Sequence, residues 1–237
     1  MKKTRELPDP HRYAVCAPED MPIKEFYRGV FEEVYIFYHP FLKPITIDYD
    51  LFESESESDP YPGKNDIINN CDKVSWKQLL NISGIKNYKQ LDIGLRTLIT
   101  GLIGKYQNQE IANVIKEVCK EHKLITPIEG VFPDILMNSI LSVIKNEGHD
   151  WIWVGDEFCT ERKLVYIDDL IKENKEFLNE HLNYFTHDSK ILLTTHWDSH
   201  FSMLCSDRAT IDKIVKLCKL EGFYCDEHTQ IYWSLFN

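Results

Sequence analysis

Residues 190–225 read KILLTTHWDSHFSMLCSDRATIDKIVKLCKLEGFYC, and this stretch decides the fold. Lys190 to Thr195 is apolar and β-branched, as a strand requires, and Phe201 to Cys205 resumes that character after the polar break His196-Trp197-Asp198-Ser199-His200. Ser206 or Asp207 then offers a side-chain oxygen to cap a helix. Its apolar positions Ile211, Ile214, Val215 and Cys218 keep helical spacing, and Gly222 is expected to end it. Phe223 to Cys225 and Thr229 to Leu235 read as two more strands. The order β-β-α-β-β, joined by the short strand Trp151-Ile152-Trp153-Val154 between Gly148 and Gly155, implies a mixed or antiparallel sheet with helices on one side. The class is α+β.

Working outward, Pro133 and Asp134 open a helix that buries Ile135, Leu136, Ile140, Leu141, Val143 and Ile144, and Gly148 closes it. Ser75 caps another helix, and Leu91, Leu95, Leu98 and then Ile111, Val114, Ile115 and Val118 keep helical spacing, which makes residues 67–147 a helical region. Asp168-Asp169 is expected to cap a helix carrying Leu170, Ile171, Phe177, Leu178, Leu182 and Phe185. Pro22 is expected to start one from Ile23 through Phe26, Tyr27, Val30, Phe31, Val34 and Tyr35 to Tyr38, stopped by Pro40, with an aromatic core-facing stripe. Two parts follow: residues 1–66, an aromatic helix and acidic loop packed on the main domain, and residues 67–237, that domain, with its sheet in 148–237.

Lys and Arg number 27 against 38 Asp and Glu, a net charge of −11, which argues against a nucleic-acid binder. Of this, −6 falls in residues 1–66, chiefly in Glu53-Ser54-Glu55-Ser56-Glu57-Ser58-Asp59, an acid/Ser run with nothing to bury that reads as a solvated loop. No apolar run approaches the roughly 20 residues of a membrane-spanning helix, and no membrane partner is expected. Seven widely spaced cysteines fit reduced thiols in a cytoplasm.

Three constellations are candidates for chemistry. His196, Asp198 and His200 on an extended strand would share one face, a ligand set suited to zinc or ferrous iron. A hairpin turning at Asp198-Ser199 would instead put the histidines on opposite faces, and those two residues favour the turn. Cys225 and His228 bracket Asp226-Glu227; if those form a turn, the pair could join a Cys/His zinc site, although no Cys-x-x-Cys supports one. After the Trp-rich strand, Glu157 or Glu161 could act as general base with Arg162 binding an anion, against the simpler reading of a solvated ion pair. Trp151, Trp153 and Trp197 are candidate binding aromatics, the first two expected on opposite, covered faces of the sheet.

Gly148-His149-Asp150-Trp151-Ile152-Trp153-Val154-Gly155-Asp156-Glu157-Phe158, with Thr195-His196-Trp197-Asp198 and Leu220-Glu221-Gly222-Phe223-Tyr224-Cys225, resembles a family of uncharacterised Gram-positive bacterial proteins filed under a domain of unknown function. The resemblance implies a bacterial cytoplasmic protein without an assigned reaction. The charge, the 29 aromatic residues and the lack of a strong catalytic motif favour a non-catalytic protein-binding module of immunity or inhibitor type, with a basic partner and no cofactor. The alternative is a hydrolase-like enzyme, metal-assisted through His196, Asp198, His200, Cys225 and His228 at the two hairpin tips or metal-free through the 156–162 loop.

Overall fold

The computed structural model describes residues 13–53, 61–172 and 182–235. Its centre is a seven-stranded sheet in the order β5-β4-β6-β7-β8-β1-β9, with every neighbouring pair antiparallel. The strands are β1 (Glu33–Tyr38), β4 (Trp151–Gly155), β5 (Arg162–Tyr166), β6 (Asn183–Phe185), β7 (Leu192–Thr195), β8 (Phe201–Ser206) and β9 (Gly222–Tyr224). A small second sheet pairs β2 (Phe41–Pro44) with β3 (Cys71–Val74). The protein is α+β.

Helices cover both faces of the large sheet, not one. On the first face, Val34, Ile36, Leu192, Phe201 and Met203 meet α3 (Trp76–Ser83), α4 (Tyr88–Leu98) and α5 (Gln109–His122) through Trp76, Leu79, Leu91, Leu95 and Ile115. On the second, Tyr35, Phe37, Ile152, Leu193 and Leu204 meet α6 (Asp134–Asn146), α7 (Ile167–Ile171) and α8 (Arg208–Cys218). Consecutive residues therefore serve different cores, and the strands β7 and β8 are buried at every position. Helix α3 begins at a capping box: the Ser75 hydroxyl accepts from the Gln78 amide at 3.1 Å while the Gln78 side chain accepts from the Ser75 amide at 2.8 Å.

Burial on both faces also explains where the expected elements fail. Residues 22–40 form not one helix but the short α1 (Ile23–Phe26), then a turn with Gly29 at φ 78°, then β1. A helix would leave part of Val34–Tyr38 in water, whereas between β8 and β9 all five are buried. At roughly 1.5–3 kcal/mol per large apolar side chain buried, that gain exceeds the intrinsic helix preference, which is under ~1 kcal/mol per residue. Residues 33–38 thus lie inside the sheet. The expected 168–185 helix ends at Ile171 and Phe185 belongs to β6, while Phe177 and Leu178 lie outside the described residues. Residues 54–60 of the acidic run lie outside them as well.

Thr229–Leu235 forms turns instead of a strand. Gly222 does not stop α8, which ends with Lys219 in the left-handed region. It is needed for close approach, because a Cβ there would meet the Ile36 carbonyl oxygen at 1.9 Å. Trp151 and Trp153, two residues apart, share a face as the two-residue repeat of a strand demands; Trp153 stacks near Phe185 and Trp151 is 49% exposed.

Candidate functional site

Three loops meet at one end of the sheet. The first is the β7–β8 turn, in which the His196 carbonyl accepts from the Ser199 amide at 3.2 Å and the Ser199 hydroxyl at 2.8 Å. The central residues are therefore Trp197-Asp198, one position earlier than the favoured Asp-Ser pair suggests. This puts the Trp197 indole outside, 45% exposed, and leaves His196 and His200 in separate environments.

The second is the β4–β5 loop. Its hub is Asp156, whose carboxylate accepts from the Thr160 amide and hydroxyl and from the Glu161 amide. Partial burial works to raise this carboxyl, but the Thr160 and backbone hydrogen bonds outweigh it and hold it below the usual range. A buried polar ladder ties the loop to the sheet: the Thr194 hydroxyl donates to the Asn183 side-chain oxygen at 2.5 Å, and the Asn183 amide donates to the carbonyls of Asp156 and Glu157. The third loop is the segment running into α1, which carries Cys16 and Glu19.

Between the loops lies a cleft of about 610 Å³, lined by Val15–Asp20, Glu157, Phe158, Thr195, His196 and Trp197. Its size is that of a small-ligand or side-chain site, roughly 300–1,000 Å³. Phe158 and Trp197 stand exposed at its rim. Among the described residues its titratable side chains other than His196 and Cys16 are Glu19, Asp20 and Glu157, and none of those residues that line it is Lys or Arg. The His196 ring is held at both nitrogens: Nδ1 accepts from the Asp198 amide at 3.2 Å and Nε2 donates to Glu19 Oε1 at 2.9 Å. With Nδ1 accepting, the neutral ring carries its proton on Nε2, toward Glu19. Burial pushes the Cys16 thiol up to about 12, so it stays protonated and is not a thiolate nucleophile at neutral pH.

Glu19 also borders a second cleft of about 440 Å³, with Asp198, Tyr232, Gly101, Ile103 and Tyr106 among its walls. The Tyr232 hydroxyl donates to Glu19 Oε1 at 3.2 Å. Beneath both clefts, Arg96 on α4 is fully buried. It donates to Asp92 Oδ2 at 2.9 Å, to the Asp198 carbonyl at 2.5 Å and to the Ile231 carbonyl at 3.0 Å, with its guanidinium 4.7 Å from the Tyr232 ring centre. One cation thus anchors the turn that carries Asp198 and the C-terminal segment that carries Tyr232.

Of the residues singled out from the sequence, His196, Trp197 and Glu157 line the first cleft and Asp198 the second. Glu161 is exposed on the loop, and Arg162 turns toward the Trp153 ring, 5.9 Å from its centre. Trp151 packs edge-on against Tyr166 on the outer strands. His200 is buried near Arg96. Cys225 is buried with its amide on the Val34 carbonyl, and His228 sits in a turn organised by Asp226. The five suggested zinc ligands are therefore dispersed, and among the described residues no three His, Cys, Asp or Glu side chains form a metal-holding group. Glu19, Tyr232 and Arg96 escaped the sequence reading because each reaches the turn from a distant part of the chain.

The chain matches the model of a family described as a protein of unknown function (DUF2711) over residues 19–235. It is similar to the uncharacterised protein YwbB of Bacillus subtilis (strain 168), with 23% identity over 177 residues, 73% of this chain and 77% of that protein. No solved structure matches. The match takes in all three loops from Glu19 onward and nearly the whole fold, so the chain belongs to this family of unknown function.

Proposed function

We propose that this chain is a non-catalytic protein-binding module that receives a basic side chain of a partner in the cleft between Glu19, Glu157 and Trp197. The observation that carries the reading is the pairing of an acidic lining, free of Lys and Arg among the described residues, with two exposed aromatic rims. An ammonium or guanidinium group entering there meets carboxylates and can lie over an indole or phenyl face, a contact of about 0.5–2 kcal/mol in addition to the charge attraction. The tethered His196 and the protonated Cys16 support binding over catalysis. The net charge of −11 would speed the encounter with a basic partner, an advantage that salt removes.

Nα-acetyl-arginine methylamide is a direct probe by calorimetry or NMR. The expected outcome is saturable binding that weakens as salt rises and is reduced about tenfold by Glu157→Gln or Trp197→Ala, the equivalent of ~1.4 kcal/mol. Absence of saturable binding at millimolar probe, or binding that ignores both substitutions, defeats the reading.

A further inference from the structure

The first cleft does not end at Glu19. The same side chain walls the second cleft, so the two adjoin across a single carboxylate. Both internal hydrogen bonds to Glu19, from His196 and Tyr232, fall on Oε1, and among the described residues none is made to Oε2. Asp198 uses its amide and its carbonyl within the fold, while its carboxylate accepts no hydrogen bond from the described residues. The second cleft repeats the chemistry of the first: carboxylates at Glu19 and Asp198, no basic side chain in its lining among the described residues, and apolar rims at Ile103 (72% exposed) and Tyr106. Gly101 shapes this wall, because a Cβ there would come within 3.2 Å of Asp198 Cβ and crowd that side chain. Lys105 lies over the Tyr106 ring at 4.7 Å, so that ring face already carries a cation and Ile103 and the two carboxylates are the part of this cleft open to a partner.

We infer that the two clefts form one trough for an extended segment of a partner protein carrying two basic side chains, one on each side of Glu19. This rests on the reading above that the first cleft takes a basic group. A single cation would leave Asp198 and the Ile103 rim unused. Two cations on one backbone engage both clefts, and the second binds intramolecularly once the first is seated. Charge complementarity selects the occupant: the acidic lining opposes phosphorylated or acidic segments and nucleic acid alike.

The test uses the full chain and fluorescent peptides of equal length bearing one arginine or two, with the spacing between the two varied from adjacent to three residues apart. At the best spacing the doubly basic peptide should bind about tenfold or more tightly than the singly basic one. Glu157→Gln should weaken both peptides. Asp198→Asn should bring the doubly basic peptide down to the affinity of the singly basic one and leave the latter unchanged. Glu117→Gln, on the exposed side of α5, should alter neither. No gain from the second arginine, or equal losses in Asp198→Asn for both peptides, overturns the trough while leaving the single-cation cleft standing. An effect of Glu117→Gln as large as that of Asp198→Asn overturns it in favour of general attraction by net charge. Failure of the wild-type chain to bind either peptide removes the underlying reading and the trough with it.

Discussion

The mouth of the cleft and the interior directly behind it share one hairpin, yet they handle charge in opposite ways. At the mouth, Glu19 is 42% exposed and shares its Oε1 between His196 and Tyr232. Behind it, Asp92 and Arg96 are wholly buried and committed to each other, to Ser234 and to two backbone carbonyls. His200, four residues after His196, is buried with Nδ1 making no hydrogen bond to the described residues. Water at the mouth screens each charge and makes its removal cheap, whereas in the interior any charge left alone carries its full desolvation cost. The mouth is thus free to bind and the interior is bound to position.

The largest effect should come from breaking the interior pair. Arg96→Met strands the Asp92 carboxylate, whose Oδ1 already has no partner among the described residues, and frees the carbonyls of Asp198 and Ile231. Loss of one member of a buried pair costs about 3–5 kcal/mol, read as a lower urea midpoint at unchanged slope. The double variant Asp92→Leu/Arg96→Met leaves no uncompensated charge and should recover part of that loss. A double variant weaker than the single one would show that the guanidinium's packing, and not its pairing, matters.

Acid should expose the same asymmetry with a smaller effect. Burial, with the Arg96 cation adding to it, lowers the His200 pKa to about 3, and burial together with His200 holds His39 well below its usual value. Both rings fold neutral, so below about pH 6.5 the unfolded chain binds more protons than the folded one and stability falls with pH. The contribution is fully present above that value and declines continuously down to the folded pKa, which for His200 lies near 3. By pH 5 the loss from His200 is about 2 kcal/mol, and His39 adds to it in the same direction. His200→Gln should flatten the slope of unfolding free energy between pH 7 and 5 by that amount; an unchanged slope would mean the ring is already charged in the folded protein.

The interior's scaffold was more legible in the sequence than its connections. Helices α3 to α6 and α8 were legible because each has one core face, so the 3.6-residue period survives, and Ser75 and Asp207 cap where expected. Strand β1 was not, because burial on both faces erases the two-residue alternation and leaves an apolar run that fits a helix equally well. At the site, His196, Trp197, Asp198 and Glu157 were legible as polar or aromatic residues at strand ends. The alternative of a shared metal site needed Asp226-Glu227 to form a turn setting Cys225 opposite His228 on a strand at 229–235, and no strand is found there among the described residues. Glu19 lies 177 positions from His196, and no local pattern encodes a contact of that span.

The smallest stability effect should fall at the mouth, and there the comparison is sharpest. Glu19→Gln keeps the size of the side chain and an oxygen to accept from His196 Nε2 and Tyr232, and removes only a charge that water already screens. Its stability cost should be under about 1 kcal/mol, which for a chain of this size is a fall in Tm of no more than roughly 2–4 °C. Binding should respond the other way: Glu19 is the carboxylate shared by both clefts, so its neutralisation should weaken singly and doubly basic peptides alike. The pair of measurements separates two roles that a single one would confuse. A Tm loss on the scale of Arg96→Met would place Glu19 with the interior as a structural anchor, and unchanged peptide affinity beside an unchanged Tm would leave it without a part in either region.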